Sequence, residues 1–313
     1  MTFEWAETTT SLKFRIGELT LFSVRLPCVA LTAHFTKLGC DPIHPRPPFE
    51  RFSSGIEVAL MRSHPIDKEL PPLARLPEAI RYAPSQYMHC YTSLEGSFED
   101  YLKGFSAKSR STLLRKVRRF AEASGGSTDW REFILASDIQ EFHRLAREVS
   151  SKTYQERLLD AGLPDDPAFL RNICGMAAAR KARGYILFLA RKPVAYIFCP
   201  VIDGALLYQY VGYDPIYRHL SPGTVLQYLV LERLMSQGGC RMFDFTEGQS
   251  QHKEFFATHR VLCADIYYFR PNLRNWLLLR LHASLEWFSQ RTGALLERYG
   301  LKDRIKKFIR SKA

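Results

Sequence analysis

The chain has 313 residues, 46% of them hydrophobic and 13% aromatic, and a formal net charge of +12. That composition excludes a disordered chain and a small disulfide-stapled scaffold, and the length suits one large domain or two ordinary ones. No run approaches the roughly eighteen apolar residues that a membrane-spanning helix requires.

Residues 1–12 are polar and acidic and show no apolar stretch of a signal peptide. Strand-like alternation runs over residues 18–26 and 56–61, and more weakly over 81–91, with a helix expected near 27–37. Between them Pro42, Pro45, Pro47 and Pro48 make residues 41–49 a loop, and residues 71–77 read as another break. His34, His44 and His64 lie at no metal-ligand spacing, so no metal is expected. Residues 98–102 begin a short helix, and Ser106 can cap a longer one through 123. In that helix Leu113, Leu114, Val117 and Phe120 recur at helical spacing, with Lys108, Arg110, Arg115, Lys116, Arg118 and Arg119 between them. Residues 106–119 hold no acidic side chain, so this face is either simply solvated or receives an anion. Together with the basic stretch 301–313 it carries nearly all of the excess positive charge. Gly125-Gly126-Ser127 then reads as a boundary, dividing the chain into residues 1–125, 126–271 and 272–313.

Beyond that boundary, residues 130–136 read as a strand, followed by a helix capped by Ser137 or Asp138 and running to about 150. A second helix spans 166–183 and ends at Gly184. Strands over 185–191 and 194–201 turn about Lys192-Pro193, and Asp203-Gly204 turns into the apolar run 205–211. A helix over 225–237 ends at Gly238-Gly239, and strand 240–245 can run parallel to the earlier one. A turn at 246–248, a short helix over 250–258 and a strand at 265–269 follow. Seven scattered cysteines without a Cys-x-x-Cys pair read as buried reduced thiols, which fits a cytoplasmic protein.

The stretch 212–226 stands out. It joins a strand to a helix, and a helix start presents free backbone amides and partial positive charge suited to a phosphate or pyrophosphate. Ser221 can cap this helix, Pro222 fits its first turn, and Gly223 lets a ligand approach the backbone. Asp244 and Glu247 fall where a parallel sheet exposes its carboxyl ends, the usual place for a ligand crevice.

This order of elements resembles the acyl-CoA N-acyltransferase fold of the GNAT superfamily, a mixed α/β architecture with a central sheet flanked by helices, here in two related halves. In that superfamily the loop usually reads Arg/Gln-x-x-Gly-x-Gly/Ala. Arg218-His219-Leu220-Ser221-Pro222-Gly223 matches it at the arginine and the last glycine, with serine in place of the first glycine. The wording is similar to one branch, the bacterial CelD-like acyltransferases, which also resemble the FemAB peptidyltransferases. That branch carries a Ser-x-Lys-x-Arg helix start, a Tyr-Asp-Pro-x-Tyr-Arg-x-x-Ser-Pro-Gly loop and an Asp-Phe-Thr-x-Gly-x-x-x-x-Lys segment. Ser106 to Arg110, Tyr213 to Gly223 and Asp244 to Lys253 match them in order.

The resemblance implies acetyl-CoA or another acyl-CoA as cosubstrate, with Arg218, Ser221, Pro222, Gly223 and Thr224 as its contacts. The acyl group would pass to an amine, or to a hydroxyl, by direct attack on the thioester. Glu247 or Asp244 is expected as base, directly or through water, with Tyr210 and His252 as further candidates for proton transfer. Lys253, Lys108, Arg110 and Tyr208 are expected to meet substrate. Many members protonate the departing thiolate with a tyrosine after the fifth strand; residues 250–256 hold none, which leaves His252. Two alternatives stay open: an aminoacyl-tRNA-dependent transfer of the FemAB type, and a non-catalytic polyanion- or lipid-binding protein of the same fold. The apolar face of 272–313 either packs across both halves or, with its basic tail, attaches peripherally to an anionic membrane.

Overall fold

The computed structural model describes residues 4–16, 19–37, 55–153, 162–248 and 250–298. The chain divides into two compact units, Met1–Met88 with Val261–Ala313, and His89–Arg260. The Gly125-Gly126 turn therefore lies inside the second unit, and residues 41–49 fall outside the described residues.

In the first unit, β1 (Trp5–Ile16) pairs antiparallel with β2 (Leu19–Leu31), which pairs parallel with β3 (Val58–Pro65). β4 (Leu73–Arg75) pairs with β5 (Ile80–Ser93), so the break expected at 71–77 contains a short strand. The helix expected near 27–37 is instead the end of β2 followed by a single 3-10 turn, Phe35–Lys37. The Val29 and Leu31 side chains pack with the sheet core, which alternation along a strand achieves and a helix would not. The last strand, β12 (His259–Phe269), runs antiparallel to β3.

The second unit is a sheet covered on both faces. Its order is the end of β5, then β11 (Met242–Asp244), β9 (Ala205–Leu207), β8 (Lys192–Ile202), β7 (Ala182–Leu189) and β6 (Asp129–Phe133). β11 runs parallel to β9, as the sequence implied. Side chains alternate strictly: Tyr185 and Leu187 of β7 enter one core, Ile186 and Phe188 the other. On the first face lie α1 (Phe98–Lys103), α2 (Ala107–Ala123), α5 (Pro222–Gln237) and α6 (Gln251–Phe256). On the second lie α3 (Ile139–Ser150) and α4 (Pro167–Ala178). α4 ends well before Gly184, which sits within β7, and the β7–β8 turn falls at Ala190-Arg191 rather than Lys192-Pro193. Both turn residues have positive φ, 49° and 65°, the geometry a two-residue hairpin needs whatever its sequence.

Gly184 and Gly212 are fixed by packing, and Gly184 shows it most directly. A Cβ on Gly184 would lie 2.5 Å from the Phe142 ring, whereas one on Gly175 in α4 would meet nothing within 4 Å. Gly184→Ala is expected to destabilise the protein by about 1–3 kcal/mol. Gly175→Ala should stabilise it by about 0.5–1 kcal/mol, through lower unfolded-state entropy. Chemical denaturation of the two variants measures both.

Candidate functional site

The site begins where one strand parts from its neighbour. Leu206 of β9 pairs with Val201, yet Tyr210 of β10 (Tyr210–Tyr213) pairs with Phe198. Four residues advance on one strand against three on the other, so one extra residue bulges between Leu207 and Tyr210. β9 is bound to β11 as far as Leu207 and Asp244, and the Tyr208 amide still donates to the Asp244 carbonyl at 2.8 Å. β10, by contrast, pairs only with β8 among the described strands. Its other edge is open beyond the end of β11.

From β10 the chain enters a 3-10 turn, Pro215–Leu220, and then α5. The buried Asp214 starts that turn by accepting from the Ile216 amide at 3.1 Å, and Pro215 fits its first position. Ser221 does not cap α5 with its side chain. It takes a left-handed conformation, φ 55° and ψ 47°, which reverses the chain so that α5 starts directly at Pro222. The amides that open α5 are thus left without a side-chain acceptor from Ser221. A Cβ on Gly223 would only touch the Tyr213 ring at 3.6 Å, so the space above it is open. Arg218 is exposed on the 3-10 turn.

Beside this helix start is a cavity of about 200 Å3. Thr112, Leu113 and Lys116 of α2 line one side, Thr224 of α5 another, and Gln251, His252, Phe255 and Phe256 of α6 the third. Among the described residues no carboxylate lines it. α2 reaches there because the Ser106 hydroxyl caps it by accepting from Ser109, and because Leu113 and Phe120 are buried in the core. Lys116 sits one turn from Leu113, on the inward flank of the basic face. α6 is likewise started by Ser250, whose hydroxyl accepts from Lys253, and is anchored by the buried Phe256.

The expected catalytic residues separate in space. His252 is stacked beside the buried Tyr208, whose hydroxyl lies 3.4 Å from its Nε2. Burial, then the charges of Lys116 and Lys253, lower the His252 pKa to about 4, and burial raises that of Tyr208. Both groups are therefore neutral at neutral pH. Asp244 is 2% exposed, and its Oδ1 accepts from the Thr246 amide at 2.6 Å and meets His89 Nε2 at 2.5 Å. Its carboxylate thus shapes the turn after β11. Glu247 is exposed on that turn, and its carbonyl receives Lys253 Nζ at 2.6 Å. Burial lowers the Lys253 pKa, partly offset by Asp244 and Glu247. Tyr210 packs against Phe169 and Phe198 on the opposite face of the sheet from His252. Lys108 is exposed and Arg110 half-buried in the first turn of α2, and neither lines the cavity. Sequence reasoning missed Lys116 and His89. Helical spacing from Leu113 could have singled out Lys116; nothing local marks His89, whose partner is 155 residues away.

Residues 107–254 match the model of the family described as Acetyltransferase (GNAT) domain. The fold is similar to the crystal structure of FemX, at 11% identity and a TM-score of 0.51, covering 88% of this chain and 90% of that one. L-PGS from Bacillus licheniformis aligns at 14% identity and a TM-score of 0.43 over 73% of this chain and 72% of that one. A GCN5-related N-acetyltransferase from Kribbella flavida aligns at 10% identity and 0.34, over 69% and 68%. No curated protein matches in sequence.

The low His252 pKa has a consequence for stability. Between 6.5 and about 4 the unfolded chain binds a proton that the folded one refuses. This contribution is full above pH 6.5 and is lost as pH falls toward 4, by roughly 3 kcal/mol at most. His252→Phe should flatten that part of a denaturation-versus-pH curve. His282 in the first unit is shifted the same way and is expected to leave a residual slope.

Proposed function

We propose, from the premise that residues 107–254 form a domain of the GNAT superfamily, that this acyltransferase takes its acyl group from an acyl-CoA and delivers it to an amine. The observation that carries this reading is the uncapped start of α5 beside the open edge of β10. The Ser221 amide donates to the Arg218 carbonyl at 3.1 Å, so a pyrophosphate fits the amides of Gly223 and Thr224 with the Arg218 side chain nearby, and a pantetheine arm can then lie along the unpaired strand edge by hydrogen bonds to its backbone. The thioester would arrive near the bulge at Tyr208.

In this reading an amine attacks the thioester carbon, the C–S bond breaks, and one proton must leave nitrogen while another reaches sulfur. His252 is neutral and can accept the first. The Tyr208 phenol beside it, held protonated by burial, can supply the second and be reprotonated through His252. Asp244 and His89 hold the turn that carries α6 into place, and Lys253 ties α6 to the Glu247 carbonyl. An O-acyl acceptor would use the same groups.

A second reading, transfer from an aminoacyl-tRNA, is favoured by one feature: Lys108, Arg115, Arg118 and Arg119 lie exposed along α2, outside the cavity. Thermal unfolding with acetyl-CoA, longer acyl-CoAs or tRNA distinguishes the two. A ligand at one hundred times its Kd stabilises by about 2.7 kcal/mol, an easily read upward shift. Acyl-CoA should raise the midpoint in the wild type and not in Gly223→Trp. A shift with tRNA alone would replace the coenzyme reading.

The pH dependence of transfer tests His252. The acid limb should lie near pH 4 and move upward in Lys116→Gln, because removing that charge removes one cause of the lowered pKa. A limb unmoved by Lys116→Gln and retained in His252→Gln would assign the proton acceptor elsewhere.

A further inference from the structure

The helix α7 (Leu273–Arg298) has two unlike sides. One is packed: Leu279 and His282 are buried, His282 Nδ1 meets the Tyr82 hydroxyl at 2.5 Å, and Asn275 donates to Glu57 at 2.8 Å. The other is bare. Leu273, Leu277, Leu281, Trp287 and Phe288 are each between 52% and 70% exposed. Steps of four and seven residues put Leu273, Leu277, Leu281 and Phe288 on one face, with Trp287 at its flank. Arg274, Arg280 and Arg291 fall on or beside the same face, and the Arg291 guanidinium lies 4.5 Å from the Trp287 ring centre. Glu286 is on the packed side, where it acts on Tyr82 and His282. Among the described side chains of α7, the bare face therefore carries cations and large apolar groups but no carboxylate.

We propose that this face of α7 is a docking surface for an anionic lipid bilayer, with the helix lying in the plane of the interface. Five large apolar side chains in a row are costly in water, and no helix among the described residues is long and apolar enough to cross a membrane. Burying Leu, Phe and Trp at the acyl boundary while arginines stay at headgroup level satisfies both kinds of side chain at once. Charge decides between occupants. A second copy docking through the same face would bring its arginines against these, and residues 299–313, with Lys302, Arg304, Lys306, Lys307, Arg310 and Lys312 against Asp303, have the wrong sign to cover it. An anionic surface has the right sign, and the same tail adds to its attraction. Nucleic acid would match the arginines and leave the aliphatic side chains unburied.

The test uses the full chain and sedimentation with vesicles of phosphatidylcholine alone or with about 30% phosphatidylglycerol. The protein should sediment with the anionic vesicles at low salt and stay in solution with the neutral ones. The paired substitution Leu277→Glu with Leu281→Glu should lower partitioning about tenfold or more. Leu277→Lys with Leu281→Lys should also lower it, although it adds positive charge. Both positions are exposed, so the unfolding midpoint should not move. Three results would overturn the proposal: no retention by anionic vesicles, retention of the lysine pair at or above wild-type level, or a wild-type dimer in light scattering that the glutamate pair converts to monomer.

Discussion

Between Leu207 and Tyr210 one strand has to serve two neighbours, β8 on one side and β11 on the other. The extra residue in the bulge lets it stay paired with β8 while releasing β11. Everything that makes this unit a candidate enzyme follows from that parting. It leaves an open backbone edge on β10, it turns Tyr208 into the core face that holds α6, and it sends the chain into the turn that starts α5. A strand in unbroken register would have closed the sheet and left only a well-packed interior.

The second constraint is electrostatic. α2, α5 and α6 converge on a cavity whose walls, among the described residues, offer a lysine, a helix start and a histidine but no carboxylate. In such surroundings the imidazole is neutral, because a proton on it would be buried away from water and would also face Lys116 and Lys253. The buried carboxylate of Asp244 is engaged by His89 and the Thr246 amide. A cationic cavity with neutral proton-transfer groups suits an anionic, thioester-bearing ligand and a neutral nucleophile.

Much of this was legible in the sequence because it is written in local punctuation. Ser106 marks the start of α2, and Pro222 and Gly238 the limits of α5, and both helices appear within a few residues of their expected limits. What stayed hidden was non-local. Residues 205–211 read as one strand, since a bulge changes pairing and not composition; unbroken alternation puts Tyr208 and Tyr210 on one face, whereas they occupy opposite faces. Ser221 has the residue type of a cap and the backbone of a reversal. Residues 27–31 are strand and not helix because β1 supplies their pairing partner, a non-local contact that local sequence does not encode. Lys116 is one of six basic residues on α2, and only the packing of α6 brings His252 to the same cavity.

The proposal that an acyl-CoA lies against the start of α5 is tested most directly by amide hydrogen exchange of the full chain with and without acetyl-CoA. Protection should appear in peptides covering residues 210–226 and 250–256, and should be absent for 139–150 in α3 on the opposite face. Binding that protects other segments and leaves 210–226 unchanged would contradict the account.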